Sequence, residues 1–205
     1  MTESLIAFIL TSVAIELTPG PNMAYLAILS LNRGRLAGAA AVAGVALGLA
    51  LLGVGAALGL GSLIARVDWL YEALRWGGVM FLLWLAFDNW RDARRPIGTI
   101  AESTELAESF RQGLVTNLLN PKAALFYTAV LPNFLEPERQ GWEQSALLTA
   151  VYVLVATLIH AVVVLAADAV RPLIESAKFR DRLGTVFAVL LVVVAVWLAI
   201  STRRL

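Results

Sequence analysis

Apolar residues along this chain gather in six long runs, at about 4–31, 36–65, 69–88, 113–134, 145–170 and 183–202, with most charged residues between them or at their edges. Each run comes near the roughly 20 residues that an α-helix needs to cross a hydrocarbon core about 30 Å thick. The pattern predicts an all-α integral membrane protein of six transmembrane helices. A single transmembrane domain then fills residues 1–205, with almost nothing left for a soluble domain.

The most polar stretch, from Asn89 to Gln112, leaves three crossings on each side and reads as a solvated surface loop that could be helical. Each half opens with an interrupted helix, "TPGPN" at 18–22 and "NLLNPK" at 117–122. Three crossings is an odd number, so the halves must lie in opposite senses. This predicts two inverted repeats, about 1–88 and about 113–205, joined by a cytoplasmic loop at about 89–112. In secondary transporters of this build, paired Gly/Pro interruptions mark a binding site near the bilayer midplane.

The interruptions have a physical reading. Pro19 and Pro21 lack an N–H, so the carbonyls of Ile15 and Leu17 are expected to lose their helical partners, and the ring of each proline disfavours a straight helix. Broken backbone at membrane depth is tolerated only where it faces protein or a water-filled cavity. One side of the break presents carbonyls, whereas Gly20, Pro21 and Asn22 begin a half-helix whose first N–H groups form a positive pole. A zwitterionic amino acid could use both. In the second half Asn120 suits an N-cap and Pro121 a first helical residue, which is expected to free the carbonyl of Asn117. Lys122 opposes the dipole of the half-helix that it begins, and an ionised side chain at membrane depth costs about 2.5–3.5 kcal/mol on insertion scales. It calls for an anionic partner, with a substrate carboxylate, Glu16, Asp88 and Asp168 as candidates.

Candidate substrate- or ion-binding residues are therefore Glu16, Thr18, Pro19, Gly20, Pro21, Asn22, Asn117, Asn120, Pro121 and Lys122. Glu16, His160, Asp88 and Asp168 are candidates for a proton relay. Each ionisable residue also has a structural reading. Glu16 could be solvated near an interface, Lys122 could snorkel to a headgroup, His160 could make one interhelical hydrogen bond, and Asp88 and Asp168 could form solvated ion pairs at helix ends.

Composition agrees with the hydrophobic pattern: 60% of residues are hydrophobic, 15% are charged and the mean hydropathy is +0.78. A net charge of +1 points to no nucleic-acid partner, and the absence of cysteine excludes disulfides and thiolate metal sites. No cofactor or metal is expected. The N-terminus "MTESLIAFIL" lacks the basic region of a cleaved signal peptide and reads as part of a true helix. Ten Lys/Arg residues fall in or beside loops 1–2, 3–4 and 5–6, against five on the other side. That asymmetry places those loops in the cytoplasm and both termini in the periplasm. Eight of the fifteen glycines lie between Gly34 and Gly61, with GxxxG spacings that suit close helix packing. Internal packing is favoured, and a homodimer stays open.

"TPGPN", followed by Arg33-Gly34-Arg35 and by Gly38, Gly44 and Gly48, resembles the N-terminal signature of the LysE/RhtB amino-acid exporters. "FRQGLVTNLLNPKAALFYTAVLPNF" at 110–134 is similar to that family's second segment. The resemblance covers most of the chain in order. It implies a bacterial-type inner-membrane permease that expels amino acids or related metabolites, driven by the proton motive force. The matching positions are Pro19, Gly20, Pro21, Asn22, Asn117, Asn120, Pro121 and Lys122. Phe81 stands where a tyrosine would be expected and Ala86 where a glycine is common, and Glu16 and His160 belong to no family motif. A neutral or hydrophobic amino acid is favoured over lysine, because no second buried carboxylate is committed to a cationic side chain. An ion or small-solute channel using the same broken-helix site is the main alternative. An enzyme is a distant third, because neither a paired-aspartate site nor a histidine-rich metal motif appears.

Overall fold

The computed structural model describes residues 2–18, 20–59, 67–92, 102–135, 142–171 and 177–201. Pro19 lies outside the described residues, as do the stretches 60–66, 93–101, 136–141, 172–176 and 202–205 that bound several of the expected crossings. Among the described residues the chain is all helical, without strands. Its seven helices are α1 (Thr2–Leu17), α2 (Pro21–Ala57), α3 (Asp68–Asp92), α4 (Glu102–Leu118), α5 (Pro121–Leu125), α6 (Trp142–Val170) and α7 (Ala177–Ser201). After α5 the chain continues as a π-turn, Phe126–Val130, and a 3-10 turn, Leu131–Phe134.

Both predicted interruptions are real breaks. The sixteen residues of α1 make a rod about 24 Å long, too short to cross a membrane alone. The chain then leaves helical geometry, and α2 restarts with Gly20 extended and Pro21 in the first helical position. Gly34 divides α2 into two arms, 21–33 and 35–57, because its φ of +83° with ψ of 177° is open in practice only to glycine. The arms fold sharply at that point. A Cβ on Gly38 would strike the Ser30 hydroxyl, although residues eight apart on a straight helix stand about 12 Å from one another.

Helix α6 shows which solvent the protein is built for. Leu148, Tyr152, Ala156, His160, Val164 and Ala167 recur every three or four residues and face inward. The outward stripe is Leu147, Leu154, Leu158, Val162 and Leu165, each more than half exposed. The buried side is thus the more polar one. That inversion is unfavourable in water and suits a hydrocarbon surround. Trp69 and Trp142, 73% and 77% exposed in the first turns of α3 and α6, sit where interfacial anchors belong.

Small residues set the core. The second arm of α2 lies against α4 so closely that a Cβ on Gly44 would collide with the Phe110 carbonyl, and one on Gly113 with the carbonyl of Ala41. On its other side α2 packs on α6, with Gly38 against Val164 and Gly53 against Thr149. The faces of Gly38, Gly44, Gly48 and Gly53 are therefore filled within the chain, whereas Gly59 is exposed. Helix α3 pairs chiefly with α7. One apolar cluster joins Tyr25, Leu26 and Leu29 to Leu82 and Leu85 of α3 and Leu191 of α7; a second joins Phe8, Leu49, Phe126, Tyr127 and Tyr152.

The stretch 102–112 departs only in part from its expected character. It is helical, as the reading allowed, and forms most of α4; Ala107 and Arg111 are exposed, whereas Ser109 and Gln112 are buried. Helical spacing aligns Ser109, Gln112 and Thr116 on one face, which meets polar partners. The Tyr25 hydroxyl lies 3.1 Å from Gln112 Oε1, and Gln112 Nε2 donates to Asp88 at 3.2 Å.

Candidate functional site

The two breaks meet. Lys122, in the first turn of α5, extends across to the first break and donates from Nζ to the carbonyl of Thr18 at 2.8 Å. The lysine stem runs close over Gly20, where a Cβ would lie 3.3 Å from Lys122 Cδ. Asn120 accepts from the Lys122 N–H at 3.0 Å and caps α5, with Pro121 at the first helical position. That cap holds the root of the lysine in place.

Fewer carbonyls are free than proline chemistry alone suggests. Ile15 accepts from the Thr18 N–H at 3.1 Å, and Asn117 accepts from the Asn120 N–H at 3.0 Å. In both breaks the last turn tightens, so that an i+3 donor replaces the one that proline removes. The backbone acceptor that Lys122 takes at the break is the carbonyl of Thr18, an exposed residue.

Glu16 sits one residue before the end of α1, is 5% exposed and is held from three sides. The Tyr152 hydroxyl donates to Oε1 at 2.5 Å. His160 Nε2 stands 3.4 Å from Oε2, and Lys122 Nζ stands 3.9 Å from the same oxygen. Tyr152 and His160 lie eight residues apart on the inward stripe of α6, so both reach one carboxylate. Tyr152 is itself fixed by aromatic packing: its ring stacks on Phe126 with centroids 3.5 Å apart, and Tyr127 meets it edge-on at 5.6 Å. The π-turn lets the neighbouring Phe126 and Tyr127 both point inward, a local widening that recurs at functional sites.

Beside this group Asn22 Nδ2 donates to Asn117 Oδ1 at 2.8 Å, linking the half-helix after the first break to the helix before the second. Their remaining ends, Asn22 Oδ1 and Asn117 Nδ2, are buried and have no partner, as do Ser12 Oγ, one turn before Glu16, and His160 Nδ1. A buried polar atom without a partner costs about 1–3 kcal/mol.

Asp88 and Asp168 lie elsewhere. Asp88 pairs with Arg91 at 3.0 Å and stands 4.0 Å from Arg33, which also stands 3.6 Å from Glu108. Asp168 accepts from the Arg35 N–H at 3.0 Å. These contacts gather the α2 turn, the ends of α3 and α6 and the middle of α4 into a second polar cluster. Neither aspartate reaches Lys122. Thus Glu16, Thr18, Gly20, Lys122 and His160 converge, Asn22 pairs with Asn117, and Asn120 and Pro121 shape the second break. Tyr152, which donates to Glu16, escaped the sequence reading. The available signal for Tyr152 was its eight-residue spacing from His160.

The family model of the LysE type translocator matches residues 13–202, a span that contains both breaks. The chain belongs to the LysE type translocator family. This LysE-type chain is 29% identical over 194 residues to the homoserine/homoserine lactone efflux protein of Salmonella typhi, covering 94% of each chain. It is 31% identical over 185 residues to an uncharacterized membrane protein of Vibrio cholerae serotype O1, covering 89% of each. Against the threonine efflux protein of Escherichia coli (strain K12) the identity is 31% over 124 residues, 58% of this chain and 60% of that one. No solved structure gives a significant match. The LysE type is a family of membrane efflux transporters, which bears out the resemblance carried by the two break motifs.

Proposed function

We propose that this protein exports amino acids or closely related metabolites across a bacterial-type inner membrane, from a site where the two broken helices meet. The observation that carries the reading is the buried Glu16 carboxylate, ringed by Tyr152, His160 and Lys122 at the junction of the breaks. Homoserine, its lactone and threonine, the cargoes in the relatives' names, share a primary ammonium group, and the lactone has no free carboxylate. The common requirement is therefore a cation subsite, and Glu16 with the Thr18 carbonyl has that chemistry. The opposite end of the substrate falls to Asn22, Asn117 and the first N–H groups of α2, a position that favours an anion or a carbonyl.

The transport cycle in this reading is alternating access coupled to proton antiport. The six crossings form two inverted repeats that rock against each other. The similar build of the two breaks, each with an extended residue followed by proline in the first helical position, supports that symmetry. Glu16 or His160 exchanges the proton, both termini face the periplasm, and loops 1–2, 3–4 and 5–6 face the cytoplasm.

The test is efflux from cells preloaded with labelled amino-acid mixtures, comparing wild type with Lys122→Ala at equal membrane abundance. Wild type is expected to expel a particular amino acid and the variant to fail. Export of no amino acid by the wild type overturns the reading. Proton coupling fails separately if Glu16→Gln and His160→Ala both export normally with an unchanged pH dependence.

A further inference from the structure

Lys122 stands out for where its charge sits. Its ammonium hydrogen-bonds to a neutral carbonyl, that of Thr18 at 2.8 Å, and keeps 3.9 Å from the carboxylate that it neutralises. The Glu16 side chain is 6% exposed, against 21% for Lys122. The anion is thus locked inside by Tyr152, whereas the cation covers it from the accessible side, beside the exposed Thr18. A pair built only for cohesion would close to direct hydrogen-bonding distance, as buried ion pairs need to do to offset desolvation. This one holds the cation at the end of a flexible four-carbon stem, lying close over Gly20.

We propose that the Lys122 ammonium is a tethered stand-in for the ammonium of the substrate, filling the subsite of Glu16 and the Thr18 carbonyl in the empty protein and leaving when a free ammonium enters. This inference rests on the breaks being the substrate site. The exchange is like for like: one positive charge and a set of N–H donors replace another, so Glu16 is never left uncompensated in a low-dielectric surround. The empty carrier also has no vacant anionic site to scavenge inorganic cations. Once displaced, the lysine charge swings toward the opposite end of the substrate, which ties occupancy of the first break to the position of α5 in the second.

The stand-in should be replaceable by a free molecule of the same chemistry. Purified Lys122→Ala protein is titrated with ethylammonium chloride against sodium chloride of equal ionic strength, and thermal stability is read. Saturable stabilisation is expected in Lys122→Ala at far lower ethylammonium concentrations than in wild type, where the tethered ammonium competes. Adding Glu16→Gln to that variant should weaken the apparent affinity by about thirtyfold, the scale for removing one partner of a buried charge pair. Lys122→Met, which removes the charge but keeps the space over Gly20 filled, should gain no binding. Equal ethylammonium responses in wild type and Lys122→Ala, or binding indifferent to Glu16→Gln, overturn the proposal.

If wild type exports no amino acid while Lys122→Ala still binds ethylammonium through Glu16, the exporter reading fails and the stand-in survives. Export by wild type without such binding in Lys122→Ala sinks the stand-in and leaves the exporter reading intact.

Discussion

Replacing Tyr152 by phenylalanine deletes a single hydroxyl and leaves its surroundings almost untouched. The ring is fully buried, stacked on Phe126 and flanked by Tyr127, and a phenylalanine ring keeps all of that packing. What disappears is the 2.5 Å donation to Glu16. A hydrogen bond to a charged group contributes about 1.5–3 kcal/mol, so the carboxylate loses roughly ten- to hundredfold of its preference for the position in which it faces Lys122 and an incoming cation. Efflux at subsaturating substrate should fall within that range, with membrane abundance and thermal stability close to wild type. Tyr152→Ala removes the ring as well and should lower abundance, because emptying a buried aromatic site costs about 3–5 kcal/mol. The comparison needs quantified protein in the membrane and initial rates across substrate concentrations. Wild-type export by Tyr152→Phe would refute the idea that this hydroxyl positions Glu16.

Three further perturbations test other parts of the architecture. Gly34→Ala places a side chain at φ +83° and against the Arg171 guanidinium, and strain of about 1–3 kcal/mol should lower thermal stability without touching the Glu16 group; an unchanged melting temperature argues against the sharp turn. Gly44→Ala drives a methyl into the Phe110 carbonyl, and overpacking of about 1–3 kcal/mol should reduce stability, whereas Gly77→Ala, which meets nothing within 4 Å, should not. Asn120→Ala removes the cap on α5; a loss of about 1 kcal/mol in stability is expected, together with weaker export because Lys122 loses its anchorage.

Much of this arrangement was legible in the chain because proline and glycine act locally. Pro21 and Pro121 mark the breaks whatever surrounds them, and the boundary between the first two apolar runs falls on the turn at Gly34. Glu16 was legible as one of several partners for Lys122, but choosing it over Asp88 and Asp168 required knowing which helix ends share a place. The unmet carbonyls were overestimated because i+3 bonds from Thr18 and Asn120 recover Ile15 and Asn117. Ser109 and Gln112 read as solvated because hydropathy counts polar side chains without asking whether they find one another. Tyr152 stayed hidden for the opposite reason: in an apolar run, a tyrosine reads as packing until its hydroxyl is given a partner.

The cluster around Arg33 bears on how the protein can move. Its side chain, 9% exposed, stands between Asp88 of α3 and Glu108 of α4, while Gln112 links Asp88 to Tyr25 and Asp168 of α6 holds the Arg35 N–H. No one of these helices can withdraw without stranding a charge or a buried amide belonging to another. The contacts thus form one mutually dependent set, in which the loss of any helix from the group is felt by the other three.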